Sequence, residues 1–278
     1  MTKITELNLT PLERNPQLVQ HFVSLEGEGG TIGRSALYIR TGECNNRCNF
    51  CDTAYSVEKD GKYDIVDMTS DKYVELLQST YSINQRENIL NLSITGGEPL
   101  LNIKHMRKLI NRTREAFPNI TQIIFETNGT MLSVKDNCFT LIEQIGCLFP
   151  ELTFMLSISP KLSGKISYSN IKSDDEILSM YFDILENYRC ILDAHFNIQL
   201  KFVHSKSLLK WNEKLINYAL KMKNPIHRNQ ILIMPFTPTD PIGRDFKSWN
   251  ESKDLSANYA MDNFFRYSPR IHVDRRLD

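Results

Sequence analysis

Cys44-Asn45-Asn46-Arg47-Cys48-Asn49-Phe50-Cys51-Asp52-Thr53 decides how the rest of the chain is read. Its three thiols are spaced Cys-x3-Cys-x2-Cys. Soft thiolate ligands select zinc, copper(I) or iron–sulfur clusters. A structural zinc site takes four ligands, commonly as two separated pairs, and no second pair completes this set. Three cysteines can hold three irons of a cubane. The fourth iron is then open to a substrate or cofactor, as the open position is in catalytic metal sites. The plain alternative is three buried or incidental cysteines in a reducing compartment.

The segments around this loop settle its setting. Ala36-Leu37-Tyr38-Ile39-Arg40 is an apolar, aromatic and β-branched run that predicts a strand feeding directly into the cysteines. Five more strands are expected at 90–95, 123–125, 152–159, 196–203 and 230–234. Between them, apolar residues recur at helical spacing over 71–81, 103–117, 138–147, 174–188 and 211–222, with a further helix near 254–266. Strands alternating with helices imply right-handed βαβ crossovers and a parallel sheet. No seventh or eighth strand is evident, so a partial (β/α)6 barrel is expected rather than a closed one. Residues 1–20 read as a poorly periodic lead-in and 54–68 as polar and irregular. No linker or internal repeat divides the chain, so we expect a single domain over 1–278 with a turn at 22–35 and a C-terminal extension at 239–278.

The unusual residues fall at C-terminal strand ends, the rim on which parallel α/β folds bind ligands. These are the cysteines, Gly96-Gly97-Glu98-Pro99, Glu126-Thr127-Asn128, Ser159-Pro160-Lys161 and Met234-Pro235-Phe236. Gly96 and Gly97 permit close backbone approach to a bound cofactor. Glu98 can accept from a cofactor's ammonium or cap a helix. Ser159 and Lys161 suit ribose hydroxyls or a carboxylate, and Thr53 offers a hydroxyl to a hard cation such as magnesium. Arg40 is a bidentate partner for a carboxylate, or one half of a buried salt bridge. Glu26 and Glu28, in the glycine-rich turn Leu25-Glu26-Gly27-Glu28-Gly29-Gly30, can hydrogen-bond a polar ring. That turn is not a P-loop, because no Gly-Lys-Ser/Thr follows.

Composition is globular, with 41% hydrophobic and 24% charged residues in 278. Thirty-three basic and 33 acidic residues cancel, so neither nucleic acid nor an anionic membrane is indicated as a partner. Cys138, Cys147 and Cys190 lie in apolar or helical surroundings and are expected to be buried. No apolar run approaches a membrane helix, and Met1–Glu6 lacks a signal peptide's apolar segment. We expect a soluble, cytoplasmic protein.

Taken together, these motifs resemble the radical S-adenosylmethionine (SAM) superfamily. The resemblance rests on Cys-x3-Cys-x2-Cys after a first strand with Gly96-Gly97-Glu98-Pro99 after the second. More narrowly, the chain is similar to the 7-carboxy-7-deazaguanine synthases of queuosine and 7-deazapurine biosynthesis. That similarity adds Ser24-Leu25-Glu26-Gly27-Glu28-Gly29, Gly33-Arg34, Arg40-Thr41-Gly42-Glu43-Cys44, Cys51-Asp52-Thr53, Glu126-Thr127-Asn128-Gly129 and Ser157-Ile158-Ser159-Pro160-Lys161. It spans residues 22 to about 238, with weaker support from Ser268-Pro269-Arg270.

The resemblance implies a partial radical SAM barrel that contracts the ring of 6-carboxy-5,6,7,8-tetrahydropterin to 7-carboxy-7-deazaguanine and releases ammonia. It implies a 4Fe-4S cluster on Cys44, Cys48 and Cys51, SAM, and magnesium beside Thr53. Phe50, Cys51, Asp52, Gly97, Glu98, Glu126, Asn128, Ser159, Pro160 and Lys161 would line the SAM site, with Met234, Pro235, Phe236 and Thr237 over the adenine. Leu25, Glu26, Gly27, Glu28, Arg40, Thr95 and His272 would hold the pterin, with Arg40 on its carboxylate. A flavodoxin or ferredoxin would donate the electron to what is usually a homodimer. Glu26 departs from the glutamine common in the family, and an ionised carboxylate cannot donate a hydrogen bond. Two other readings use the same cysteines: a radical SAM activase acting on a partner protein, and a non-catalytic iron–sulfur or zinc protein.

Overall fold

Along the central strands the side chains alternate between two environments. Leu37, Ile39, Leu92, Ile94, Phe125, Phe154, Leu200, Phe202 and Ile233 belong to a single buried apolar cluster. Their neighbours Tyr38, Arg40, Ser93, Thr95, Glu126, Ser157, Gln199 and Lys201 are polar. Successive strand residues point to opposite faces, so one sheet face is built for packing and the other for something else.

The computed structural model describes residues 13–46, 48, 51, 53–56, 66–133, 138–162, 173–187, 196–238 and 243–275. Its strands are β1 (Gln17–Leu25), β2 (Ser35–Thr41), β3 (Val66–Asp67), β4 (Asn91–Gly96), β5 (Gln122–Thr127), β6 (Thr153–Ile158), β7 (Phe196–His204), β8 (Ile231–Pro235) and β9 (Arg266–Tyr267). They form one open sheet in the order β3-β1-β2-β4-β5-β6-β7-β8-β9. From β2 through β4, β5, β6, β7 and β8 to β9 every pairing is parallel. Only β1 runs antiparallel, to both β2 and β3. The expected α/β fold is therefore present, but with seven parallel strands, the six expected and the two-residue β9, and with β1 and β3 added at the other edge.

The helices are α1 (Asp71–Thr80), α2 (Ile83–Asn88), α3 (Met106–Ala116), α4 (Cys138–Leu148), α5 (Asp174–Asn187), α6 (Leu209–Lys221), α7 (Phe246–Asp262) and α8 (Ile271–Arg275). Local chemistry sets their ends. Ser70 caps α1 by accepting from the Tyr73 amide, and Ser82 forms a capping box with Gln85 at α2. The helices' apolar stripes, such as Leu109 and Ile110 of α3 and Leu215 and Ala219 of α6, complete the cluster on the packing face. Phe154 stacks on Phe196 there, with ring centroids 4.7 Å apart. No helix among the described residues is long and apolar enough to cross a membrane.

Four expectations need correction. The lead-in at 1–20 contains the start of β1, and the expected turn at 22–35 contains its end; the strand is half-buried along most of its length and so shows no strong alternation. The irregular stretch at 54–68 contains β3, only two residues long. Helix α7 begins at Phe246 rather than near 254, because its buried stripe is only Trp249, Ser256 and Ala260 in an otherwise polar sequence. Cys147 is exposed in the last turn of α4, where Leu148 also faces solvent. The side chain of Cys138 and all of Cys190 lie outside the described residues.

Candidate active site

Strand β2 delivers the chain into the cysteine loop, and the glycines after β4 hold that loop in place. The Gly97 amide donates to Thr41 O at 3.0 Å and the Glu98 amide to Glu43 O at 2.8 Å. Gly96 has φ +124°, and a Cβ on it would meet the Thr41 carbonyl oxygen at 2.1 Å; one on Gly97 would lie 1.7 Å from Glu43 O. These glycines admit the backbone that leads into the cysteine loop.

Within the loop, the Cys51 amide donates to Cys48 O at 3.1 Å. The Cys44 sulfur accepts from the Asn46 amide at 3.3 Å, and Asn128 Nδ2 lies 3.9 Å from it. Asn128 also donates to Asn45 Oδ1 at 3.1 Å, tying the loop to the end of β5. Burial pushes the Cys44 thiol up to about 12, and the charges of Glu98, Cys48 and Cys51 add to this. Among the described residues no three His, Cys, Asp or Glu side chains converge in metal-ligating geometry. The donor chemistry nevertheless fits a cluster. Three sulfurs share one loop, one of them accepts N–H bonds, and their thiolate charges oppose one another, which bound cations relieve.

Around the loop, the rim residues are fixed by each other. Glu98 is fully buried and turned inward. Its carboxylate accepts from Thr127 Oγ1 at 2.6 Å, the Asn128 amide at 2.8 Å and the Leu100 amide at 3.0 Å. Burial nevertheless holds its carboxyl up at about 7. Lys161 Nζ donates to Ser159 Oγ at 3.1 Å, beside Pro160, and the Lys161 amide donates to the Tyr181 hydroxyl at 3.0 Å. Tyr181 in turn donates to Asn128 O at 2.7 Å. Met234 and Pro235 end β8, Phe236 O accepts from Ser252, and Thr237 accepts from Arg270. Thr53 Oγ1 is 3.8 Å from Cys51 Sγ. Phe50 and Asp52 lie outside the described residues.

The polar face of the sheet carries two poles. Arg40 donates from Nε to Gln20 Oε1 at 3.0 Å and lies over the Phe22 and Tyr55 rings, 5.6 and 5.9 Å from their centroids. Neither of its Nη groups is bonded among the described residues. Thr95 sits opposite Arg40 in register on β4. At the other pole, Tyr38 donates to Glu26 Oε2 at 2.6 Å. Glu26 is 1% exposed, and among the described residues its Oε1 has no hydrogen-bond partner. Burial raises its carboxyl to about 7, with Glu126 and Glu28 adding to the effect.

Behind the Glu26 pole lies a buried charge network. Lys201 Nζ donates to Glu28 Oε2 at 2.9 Å and to Glu126 Oε2. Arg270 Nη2 is 3.5 Å and His272 Nε2 3.9 Å from Glu28 Oε1. Burial alone would raise Glu28, but Lys201, Arg270 and His272 outweigh it and hold the carboxyl well below its usual range. Burial raises Glu126, against the opposing pull of Lys201. His272 packs against Gly27, where a Cβ would meet Nδ1 at 2.0 Å. Leu25, at the end of β1, is 39% exposed.

The structure thus gathers Glu26, Glu28, Arg40, Thr95 and Glu126 on one face, and seats Gly27 and His272 against each other at the turn. Tyr38, Gln199, Lys201 and Arg270 were missed by the sequence reading. The alternation of Asn197, Gln199 and Lys201 with Ile198, Leu200 and Phe202 is a signal that marks two of them.

The sequence model of the Radical SAM superfamily matches residues 38–154. Curated relatives named 7-carboxy-7-deazaguanine synthase include one from Clostridium acetobutylicum, 34% identical over 42% of this chain and 48% of that one. Another from Bacillus subtilis is 29% identical over 56% of this chain and 55% of its own. Against these the chain spans about half the relatives' length. A third, from Halobacterium salinarum, is 27% identical over 91% of this chain and 87% of its own. A crystal structure of QueE from Escherichia coli superposes with a TM-score of 0.52 over 92% of this chain and 93% of that chain, at 17% identity. That likeness shows a shared fold.

Proposed function

We propose that the chain is a 7-carboxy-7-deazaguanine synthase acting on 6-carboxy-5,6,7,8-tetrahydropterin. The observation that carries this reading is the pair of poles on one wall. Arg40, with two unbonded Nη groups, suits a carboxylate bidentately. Glu26, with an unpartnered Oε1, suits the N–H edge of a 2-amino-4-oxopyrimidine ring. A carboxylated pterin has both ends. The names of the curated relatives point the same way.

In this reading Cys44, Cys48 and Cys51 hold a 4Fe-4S cluster, and Ser159, Pro160, Lys161, Asn128 and Met234 to Thr237 face SAM. Thr53 accompanies magnesium, a flavodoxin or ferredoxin supplies the electron, and the working unit is a homodimer. Bound together, the cluster and SAM supply reductive radical generation. The protein's share is to bind and orient. Arg40 and Glu26 fix the ring between them, Phe22 and Tyr55 hold the guanidinium plane, and Tyr38 aims the carboxyl. The turn docked by Arg270 and His272 excludes water from that end of the site.

The test is anaerobic. Reconstituted protein with reductant, SAM, magnesium and carboxytetrahydropterin should yield 7-carboxy-7-deazaguanine. SAM cleavage without that product would point to another radical SAM reaction and sink this reading. Cys48→Ala should lose the brown chromophore and the bound iron and sulfide; full iron and sulfide in that variant would remove the ligand assignment.

A further inference from the structure

The buried charge network converges on Lys201. This side chain sits on β7 and is 2% exposed. Its ammonium donates to Glu28, on the turn after β1, and to Glu126, at the end of β5. One cation therefore ties together segments 173 and 75 residues away in sequence. A buried ion pair is costly to desolvate, and a well-packed apolar side chain of similar volume is often as good for stability. A lysine here implies a role other than filling space.

The bonds around it act in the same direction. The Gly30 amide donates to Gln199 Oε1 at 2.8 Å, and Gln199 Nε2 donates to Ser157 Oγ at 2.8 Å. The Gly29 amide donates to Ser268 Oγ at 2.8 Å. These bonds seat the glycines, while Lys201 seats the acid between them and Glu26. Glu26 lies two residues before Glu28 on the same turn: Tyr38 holds its Oε2 and Arg34 O accepts from its amide, while the seat of Glu28 fixes the backbone that follows.

We propose that Lys201 is a positioning residue of the ligand site: by holding Glu28 and Glu126 together it locks the glycine turn in the conformation that presents Glu26 to the ligand's N–H edge. The identity of that ligand rests on the function proposed above; the locking of the turn does not. A purely structural role would be charge balance, and the two roles separate experimentally. Two carboxylates and one ammonium give the triad a net charge of −1. Lys201→Met alone strands two buried carboxylates and can fail to fold. Lys201→Met with Glu126→Gln leaves one carboxylate, again −1.

The experiment compares that double variant with wild type, with Glu126→Gln alone and with Lys201→Arg, all as reconstituted full-length chains. Hydrogen exchange of the peptide covering 25–31, without ligand, reports the turn. Steady-state kinetics with carboxytetrahydropterin report KM and kcat. Relative to wild type, whose triad carries the same charge, the double variant should keep its iron content while the Gly29 and Gly30 amides exchange at least about tenfold faster. Its KM should rise by on the order of tenfold, with a smaller fall in kcat. Lys201→Arg should retain part of the protection. Unchanged exchange at the turn in the double variant overturns the proposal. If the wild type forms no product from the pterin, the substrate reading falls, while turn exchange still decides the role of Lys201.

Discussion

On the helix side of the sheet, Leu37, Phe125, Phe154, Leu200 and Ile233 are all at or below 1% exposure and belong to the apolar core. On the other side, the same strands place Tyr38, Arg40, Glu126, Ser157, Gln199 and Lys201 one residue away or nearby. Parallel strands covered on both faces usually read as unbroken apolar runs. Here the run is interrupted by alternate polar residues, and the interruptions are ion pairs and hydrogen bonds joined across several strands. One face is packed for stability, and the other keeps buried charge in fixed places. Charge of that kind is poor at stabilising a fold and good at holding a polar ligand.

The packing face should give the largest response. Phe154 is fully buried and packs against both Phe125 and Phe196, with ring centroids 6.5 and 4.7 Å away. Phe154→Ala should cost about 3–5 kcal/mol in urea unfolding. Where the variant remains folded, its KM for the pterin should be unchanged, since no group of the polar face is touched. A specific loss of substrate affinity at full folding would show that the two faces are not separable.

This asymmetry also explains what could be read from the sequence. The six parallel strands were legible because their core-facing halves are strongly apolar, and the rim motifs because Gly, Pro, Cys and acids crowd the strand ends. Glu26, Glu28, Arg40 and Thr95 were legible within their motifs. Lys201 and Gln199 were not, because they sit in mid-strand and a lone lysine in an apolar run looks like a surface residue until its partners, far away in sequence, are known. Strand β1 was hidden for a related reason: with one side on the ligand face and neither side fully covered, it shows no clean period. Gly96 and Gly97 were legible as places of close approach, and the backbone of Thr41 and Glu43 is one group that approaches them. No property of the glycines themselves distinguishes a near backbone from a near cofactor.

A middle-sized effect should appear where the polar face destabilises the protein. Burial, first, and the nearby Glu126 and Glu28 charges raise the Glu26 carboxyl from 4.5 to about 7. The folded chain then keeps a proton that the unfolded chain has released. Stability is lost as pH rises through the window from 4.5 to about 7, and the penalty is complete above it. Glu26→Gln removes this slope, so the variant should gain on the order of 2–3 kcal/mol over wild type at pH 8 and little or nothing at pH 4.5. Glu98, also raised to about 7 by burial, is present in both proteins and cancels in the difference. Paired urea titrations at the two pH values measure it. A difference that does not change with pH would mean Glu26 is not held protonated by its surroundings.

The smallest effect on the fold, and the most selective on the ligand, belongs to Arg40. It is only half-buried, and its hydrogen bond within the protein goes from Nε to Gln20. Removing it should therefore move stability by no more than about 1 kcal/mol, and iron content should stay, because its Nε bond and its two ring contacts involve no cysteine. In the proposed function its two Nη groups grip the ligand's carboxylate, and in a partly solvated site such a bidentate grip is worth about tenfold in affinity. Arg40→Ala should raise the KM for the carboxylated pterin by about that factor. Arg40→Lys should recover only part of it, because an ammonium is a point charge without the planar fork that Phe22 and Tyr55 hold in place. A decarboxylated pterin supplies the sharper comparison: its weak binding should be the same in wild type and in Arg40→Ala. If both ligands weaken equally in the variant, Arg40 supports the wall rather than the carboxylate, and the cationic pole must be sought elsewhere on the same face.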